Sequence, residues 1–354
     1  MMQTISPITV LLATPVCLLS ACIAKLVYRF TDFEQFDTSH TGFKKNMSSY
    51  LHRECYNDGF TSMRVLGGRV HILCRYSSIF SGDPPIFIIP SVSKCSIDYM
   101  NFMKSIPMYR DVFCIDLPGW GISEPLPNVD LCNDSLPCIF KSYATMIYKV
   151  MTEICPIQSQ KFTLIGDAFG AYLLTHAFSS GIIPANKINK FILCEPPGLS
   201  KDTLRQPYLR GFPMKIGLLN VLTNLSWLKH LCSAFLCKRA LTLETILFLR
   251  HFIPGKYGYK MLSRNIRLDN SIKPYWENTI KESLINIANE TNDSKMKVFI
   301  VHGLRDCVVS CEHAKRTCEE SKKIKYVEVW SGNDLLSCRR NFYSLNRILQ
   351  GEDK

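Results

Sequence analysis

Four absences bound what this chain of 354 residues can be. Despite 16 cysteines it has no Cys-x-x-Cys pair and no Cys/His spacing suited to zinc, so neither a metal nor another cofactor is called for. It has no repeat period, low-complexity tract or Gly/Ser linker, which excludes solenoids and strings of tethered modules. It has no charged side chain from Met1 to Ala24. It has no histidine after His313, so a base near the C-terminus would have to be some other residue.

What is present describes a folded protein with a large core. A hydrophobic share of 47% against 20% charged residues excludes a disordered chain and suits one large α/β domain carrying an insertion. Cys74, Cys114 and Cys194 lie inside apolar runs, as small core residues do, which implies reduced thiols rather than a disulfide framework. The net charge of +12 is concentrated: between Lys201 and Arg267 there are twelve Lys or Arg against Asp202 and Glu244. That basic segment is interleaved with Leu, Ile and Phe, a pattern that fits an anionic membrane surface better than nucleic acid.

The uncharged N-terminus sharpens the membrane expectation. Residues 7–28 are mostly apolar and reach the roughly 20 residues that a helix needs to cross a bilayer. No basic residue precedes them, whereas Lys25, Arg29, Lys44 and Lys45 follow toward the domain. The expectation is an uncleaved single-pass anchor in an endomembrane, ER-like, with the main domain cytoplasmic. A cleaved signal peptide is the alternative, and five Asn-x-Ser/Thr triplets (Asn46, Asn133, Asn224, Asn289, Asn292) do not decide between the two.

A polar linker, 31–56, leads into alternating strands and helices. Thr61 to Tyr76 reads as a hairpin turning at Gly67-Gly68. Buried strands are expected at 85–90, 112–116, 162–166, 191–194, 297–303 and 325–330. Helices fall between them at 96–106, 135–154, 169–179, 312–320 and 339–349. Parallel strands joined by crossover helices put functional residues just after each strand. The core is thus 61–198 with 293–350, interrupted by a Leu-rich helical insertion at 199–292.

At those strand ends three motifs occur in order: Gly166-Asp167-Ala168-Phe169-Gly170, Asp116-Leu117-Pro118-Gly119-Trp120-Gly121-Ile122-Ser123, and Val301-His302-Gly303-Leu304-Arg305-Asp306. Together they resemble the α/β-hydrolase superfamily, with 199–292 in the place of its helical cap. The resemblance implies a mainly parallel sheet flanked by helices and a Ser-His-Asp site. It puts Ala168 at the nucleophile, Asp306 at the triad acid and Asn333 at the base. A methyl group cannot attack a carbonyl, and an amide has no useful basicity near neutral pH.

Several alternatives stay open beside that reading. Asp167 is an alternative nucleophile, or an anion favoured by the neighbouring helix N-terminus. The family's His-Gly after the third strand is replaced by Pro90-Ser91, leaving backbone donors from Val92 or Ser93 for an oxyanion. Ser91, Ser93 and Cys95 are further nucleophile candidates, and Phe169 is placed at the pocket. His302 reads as packing, Glu195 as a loop carboxylate, and Asp306 as either a triad acid or a helix cap. "PSVS" and "GN" at 332–333 are similar to maspardin over a few residues.

These observations predict a membrane-anchored α/β-hydrolase-fold pseudoenzyme that binds a lipid or acyl ligand or a protein partner. An ester hydrolase with a rearranged site acting on lipid esters is the alternative. A pure protein-interaction module is a third.

Overall fold

The computed structural model describes residues 58–77, 82–91, 94, 96–119, 123–124, 126–129, 134, 136–155, 161–200, 280–290, 296–304, 306, 309–330, 335–337 and 339–352. The anchor segment 7–28, the linker 31–56, nearly all of the insertion, and Val92, Ser93, Cys95 and Asn333 lie outside the described residues. No helix among the described residues is long and apolar enough to cross a membrane.

Among the described residues eight strands form one sheet: β1 Asp58–Val65, β2 Gly68–Arg75, β3 Ile86–Ile89, β4 Val112–Ile115, β5 Phe162–Asp167, β6 Ile188–Cys194, β7 Lys297–Gly303 and β8 Ile324–Val329. Their order is β1-β2-β4-β3-β5-β6-β7-β8. The β1–β2 and β2–β4 pairs are antiparallel, and every later pair is parallel. The first hairpin turns on Leu66-Gly67, one residue earlier than expected. Both residues have positive φ (50° and 84°), as a two-residue turn matched to strand twist requires.

Six helices among the described residues cover the sheet: α1 Met100–Ser105, α2 Leu136–Ile154, α3 Phe169–Ser179, α4 Lys281–Glu290, α5 Cys311–Glu320 and α6 Arg339–Gln350. A short 3-10 turn, Ser96–Tyr99, leads into α1. Side chains alternate across the central strands and so build two cores. Phe87, Ile89, Phe113 and Leu164 join the face covered by α2, α3, α4 and α5. Ile86, Ile88, Cys114 and Ile165 join the face covered by α1 and α6. Each fully buried apolar side chain contributes about 1.5–3 kcal/mol against the entropy of ordering the chain.

Two element boundaries differ from expectation. Strand β6 begins at Ile188, earlier than the apolar run alone indicates, because the polar Asn189 and Lys190 interrupt that run while the backbone stays extended. Helix α4, expected within the insertion, belongs to the core: Leu284, Ile287 and Ala288 are buried with the residues of α3. The returning chain docks where it left, with Ile280 N–H donating to Gly198 O at 2.8 Å.

Candidate functional site

Strand β5 ends at Asp167 and α3 begins at Phe169, so Ala168 alone makes the turn between them. It sits at φ 45° and ψ −104°. Such sparsely populated backbone costs about 1–3 kcal/mol and persists only where the surroundings enforce it. Ala168 N–H donates to Cys194 O at 2.8 Å, and its carbonyl accepts the Tyr172 N–H at 3.1 Å. Gly166 and Gly170 make room for the bend. A Cβ on Gly166 would lie 2.5 Å from Ala171 Cα, and one on Gly170 would collide with the Ile89 carbonyl oxygen.

Beside the turn lies a buried charged cluster. Asp167 Oδ2 accepts from Lys94 Nζ and from Tyr99 Oη, each at 2.6 Å. Asp167 is 1% exposed and Lys94 4%, so the ion pair is shielded from water. Tyr99 Oη also accepts the Ser91 N–H at 3.1 Å, and Lys94 Nζ stands 5.4 Å from the centre of the Tyr99 ring. Burial pushes the Tyr99 phenol well up, with the Asp167 carboxylate adding to the effect, so it remains a donor. Asp167 Oδ1 is buried with no hydrogen-bond partner among the described residues. The charge of Asp167 is therefore balanced by Lys94 and Tyr99, partners additional to the helix terminus expected from the sequence.

The neighbouring strand ends are also closed in. Cys194 pairs with Asp167 across β5 and β6. Burial pushes its thiol well up, with the carboxylates of Asp167 and Glu195 adding and Lys94 opposing, which keeps it a neutral, unreactive thiol. Glu195 lies in the loop just after β6, as expected, and is buried there at φ 50°, its N–H donating to Val301 O at 2.9 Å. Phe169, expected at the pocket, has its ring in the main core, 5.8 Å from Phe140.

Asp306 holds the loop after β7. Its Oδ1 accepts the Val309 N–H at 3.0 Å, and Oδ2 lies 4.0 Å from Nε2 of the buried His302. The cap position of α5 belongs to Ser310, so Asp306 closes the preceding turn and does not cap the helix. Asp116 and Ser123 of the second motif are structural as well. Asp116 Oδ1 accepts the Ser96 N–H at 2.6 Å, while Ser123 Oγ donates to Asp116 O and accepts from His71 N. Among the described residues no group of three or more His, Cys, Asp or Glu is arranged to hold a metal ion.

Sequence reasoning missed Lys94 and Tyr99. One signal was available: Lys94 is the sole charged residue between Asp83 and Asp98, directly after a buried strand. A lone cation there needs a buried anion, and Asp167 ends the adjacent strand.

The sheet order, the bent residue between β5 and α3, and the loop after β7 define the α/β-hydrolase fold. Solved structures of that fold superpose on most of the chain. A membrane phospholipase A described as a bacterial virulence factor matches with a TM-score of 0.62 at 13% identity, over 98% of this chain and 99% of its own. Haloalkane dehalogenase DbeA from Bradyrhizobium elkani USDA94 gives 0.59 at 14%, over 83% and 98%. The meta-cleavage product hydrolase from Pseudomonas fluorescens IP01 gives 0.55 at 16%, over 84% and 100%. No family model and no curated protein matches the chain, so the finer likeness to maspardin finds no support.

Proposed function

We propose that this protein is a membrane-anchored, non-catalytic member of the α/β-hydrolase fold that binds a lipid or acyl ligand where relatives bind substrate. One observation carries the reading. Ala168 occupies the bent position at φ 45°, with both flanking glycines in place and no nucleophilic atom on its side chain. Asn333 at the base position supports it, since an amide cannot take the proton of an attacking group. Asp167, the nearest carboxylate, shares its charge with Lys94 and Tyr99, which lowers its nucleophilicity. The apolar segment 7–28 and the basic residues of 201–267 support attachment to an anionic bilayer.

A second reading, an ester hydrolase with a rearranged site, is favoured by structural neighbours that include a membrane phospholipase A and an aryl esterase fold. Two probes separate the readings. The purified protein is incubated with a fluorophosphonate, which reports an activated Ser or Cys, and with a chloroalkane ester in H2(18)O, which reports a carboxylate nucleophile. The non-catalytic reading expects no stoichiometric adduct, no 18O in Asp167, and lipid co-purifying on gentle extraction. One fully labelled residue, or 18O in the Asp167 carboxylate after turnover, overturns it.

A further inference from the structure

Ser91, Lys94 and Ser96, which follow β3, are each held by a hydrogen bond to another element or to one another. Asp116, at the end of β4, holds the Ser96 N–H. Asp167, at the end of β5, holds Lys94 and Tyr99, and Tyr99 in turn holds the Ser91 N–H. Lys94 N–H closes the turn itself by donating to Ser91 O at 3.1 Å. On the opposite side the first turn of α3 leaves no gap, because Gly170 abuts the carbonyls of Ile89 and Pro90. Two buried carboxylates, on the strands flanking β3, thus grip one short stretch of chain.

We infer that Lys94, Asp167 and Tyr99 form a clamp that fixes Ser91 and Lys94 against the bent turn at Ala168 and commits the Ser91 N–H to Tyr99 rather than to a bound ligand. In a hydrolase of this fold the stretch after β3 is where backbone N–H groups meet a developing oxyanion. Here the Ser91 N–H, which precedes the Val92 and Ser93 donors expected for an oxyanion, is engaged within the protein. The anion that neutralises Lys94 comes from the residue just before the bend, so the clamp couples the loop directly to the strained backbone. Lys94, Asp167 and Tyr99 are positioning residues: they act through the backbone they hold. The ion pair is also demanding, since either charge left alone in this setting is strongly unfavourable.

The clamp is independent of ligand, so it can be tested on the protein alone, and its failure is distinct from any failure of the binding reading. Hydrogen–deuterium exchange is followed residue by residue in the wild type, Lys94→Met, Asp167→Asn, the Lys94→Met/Asp167→Asn pair and Tyr99→Phe. The clamp expects Tyr99→Phe, which keeps the ion pair, to speed exchange at the Ser91 amide by roughly 10-fold or more while β6 and β7 stay protected. It expects each charge substitution to speed exchange at the Ser91 and Lys94 amides, and the double variant to unfold at a higher temperature than either single one. Exchange that rises equally in every strand, or a Ser91 amide unchanged in Tyr99→Phe, overturns the clamp. Tyr99→Phe preserves the ring and its packing, so the test survives even if a charge variant does not fold.

Discussion

Ala168 keeps a backbone conformation whose usual reason, the presentation of a reactive side chain, is missing. What enforces it is steric. The Gly170 Cα faces the Ile89 carbonyl so closely that no side chain fits, and relaxing the bend would separate α3 from β3. Gly170→Ala should therefore cost about 3 kcal/mol, at the upper end of overpacking effects, read as a shifted midpoint in urea unfolding with unchanged slope. A variant within 0.5 kcal/mol of wild type, as ordinary surface substitutions are, would show that the turn is not sterically set. One further residue gives a pH dependence. His176 on α3 is half-buried against the Phe140 ring, and burial lowers its pKa below the ordinary 6.5. The folded protein then binds fewer protons than the unfolded chain below about pH 6.5, so stability falls as pH drops through that value. Unfolding midpoints measured at pH 7.5 and 5.5 should differ less in His176→Gln than in wild type; an identical difference in the two proteins would rule out this histidine as the cause.

Two helices, α1 and α6, are ended by buried cations that come from strands and distant loops. Lys190 in β6 donates to Ile348 O at 2.6 Å and Leu349 O at 2.8 Å, and Arg110 donates to Leu349 O at 3.1 Å, closing the C-terminus of α6. Arg75 does the same after α1, donating to Ile106 O, Pro107 O and Arg110 O. Carbonyls at a helix end lack intrahelical partners, and positive charge there opposes the negative pole of the helix. Lys190→Met should cost about 2 kcal/mol by removing the charged donor from two buried carbonyls, leaving Ile348 O with the Gly351 N–H and Leu349 O with Arg110, and exchange at the last turn of α6 should speed up. If the variant keeps wild-type protection there, water replaces the lysine without loss. These contacts also mark where the sequence stops being legible. Helix α3 and strand β7 match their expected limits, because apolar spacing is a local property that the chain carries on its face. Ala168 and the glycines around it are equally local, so the bend was readable. Lys94 meets Asp167 across 73 residues and Lys190 meets Ile348 across 158, and no local pattern encodes which distant partner a charge will find.

At the scale of the whole molecule, the Gly198–Ile280 hydrogen bond means that the chain leaves and re-enters the core at one point. Strand β6 before it and helix α4 after it are both packed into the main core, and all eight strands of the sheet lie outside 201–279. That stretch also holds most of the excess positive charge, with twelve Lys or Arg from Lys201 to Arg267. The eight strands and the excess positive charge thus lie in different parts of the sequence. Replacing 201–279 with a short Gly/Ser linker, in a chain starting at residue 58 so that the apolar N-terminus is absent, should leave a cooperative thermal transition by circular dichroism. The same chain with 201–279 retained should sediment with phosphatidylserine vesicles at low salt and release from them at about 0.5 M salt, where the Debye length falls to a few ångströms. The shortened chain should not sediment at either salt concentration. Loss of the cooperative transition would show that the insertion is part of the folding unit, since a shortened loop alone changes closure entropy in the favourable direction. Vesicle binding that persists without 201–279, or that is indifferent to salt, would remove the basic insertion from the account of membrane attachment and leave 7–28 as its remaining basis.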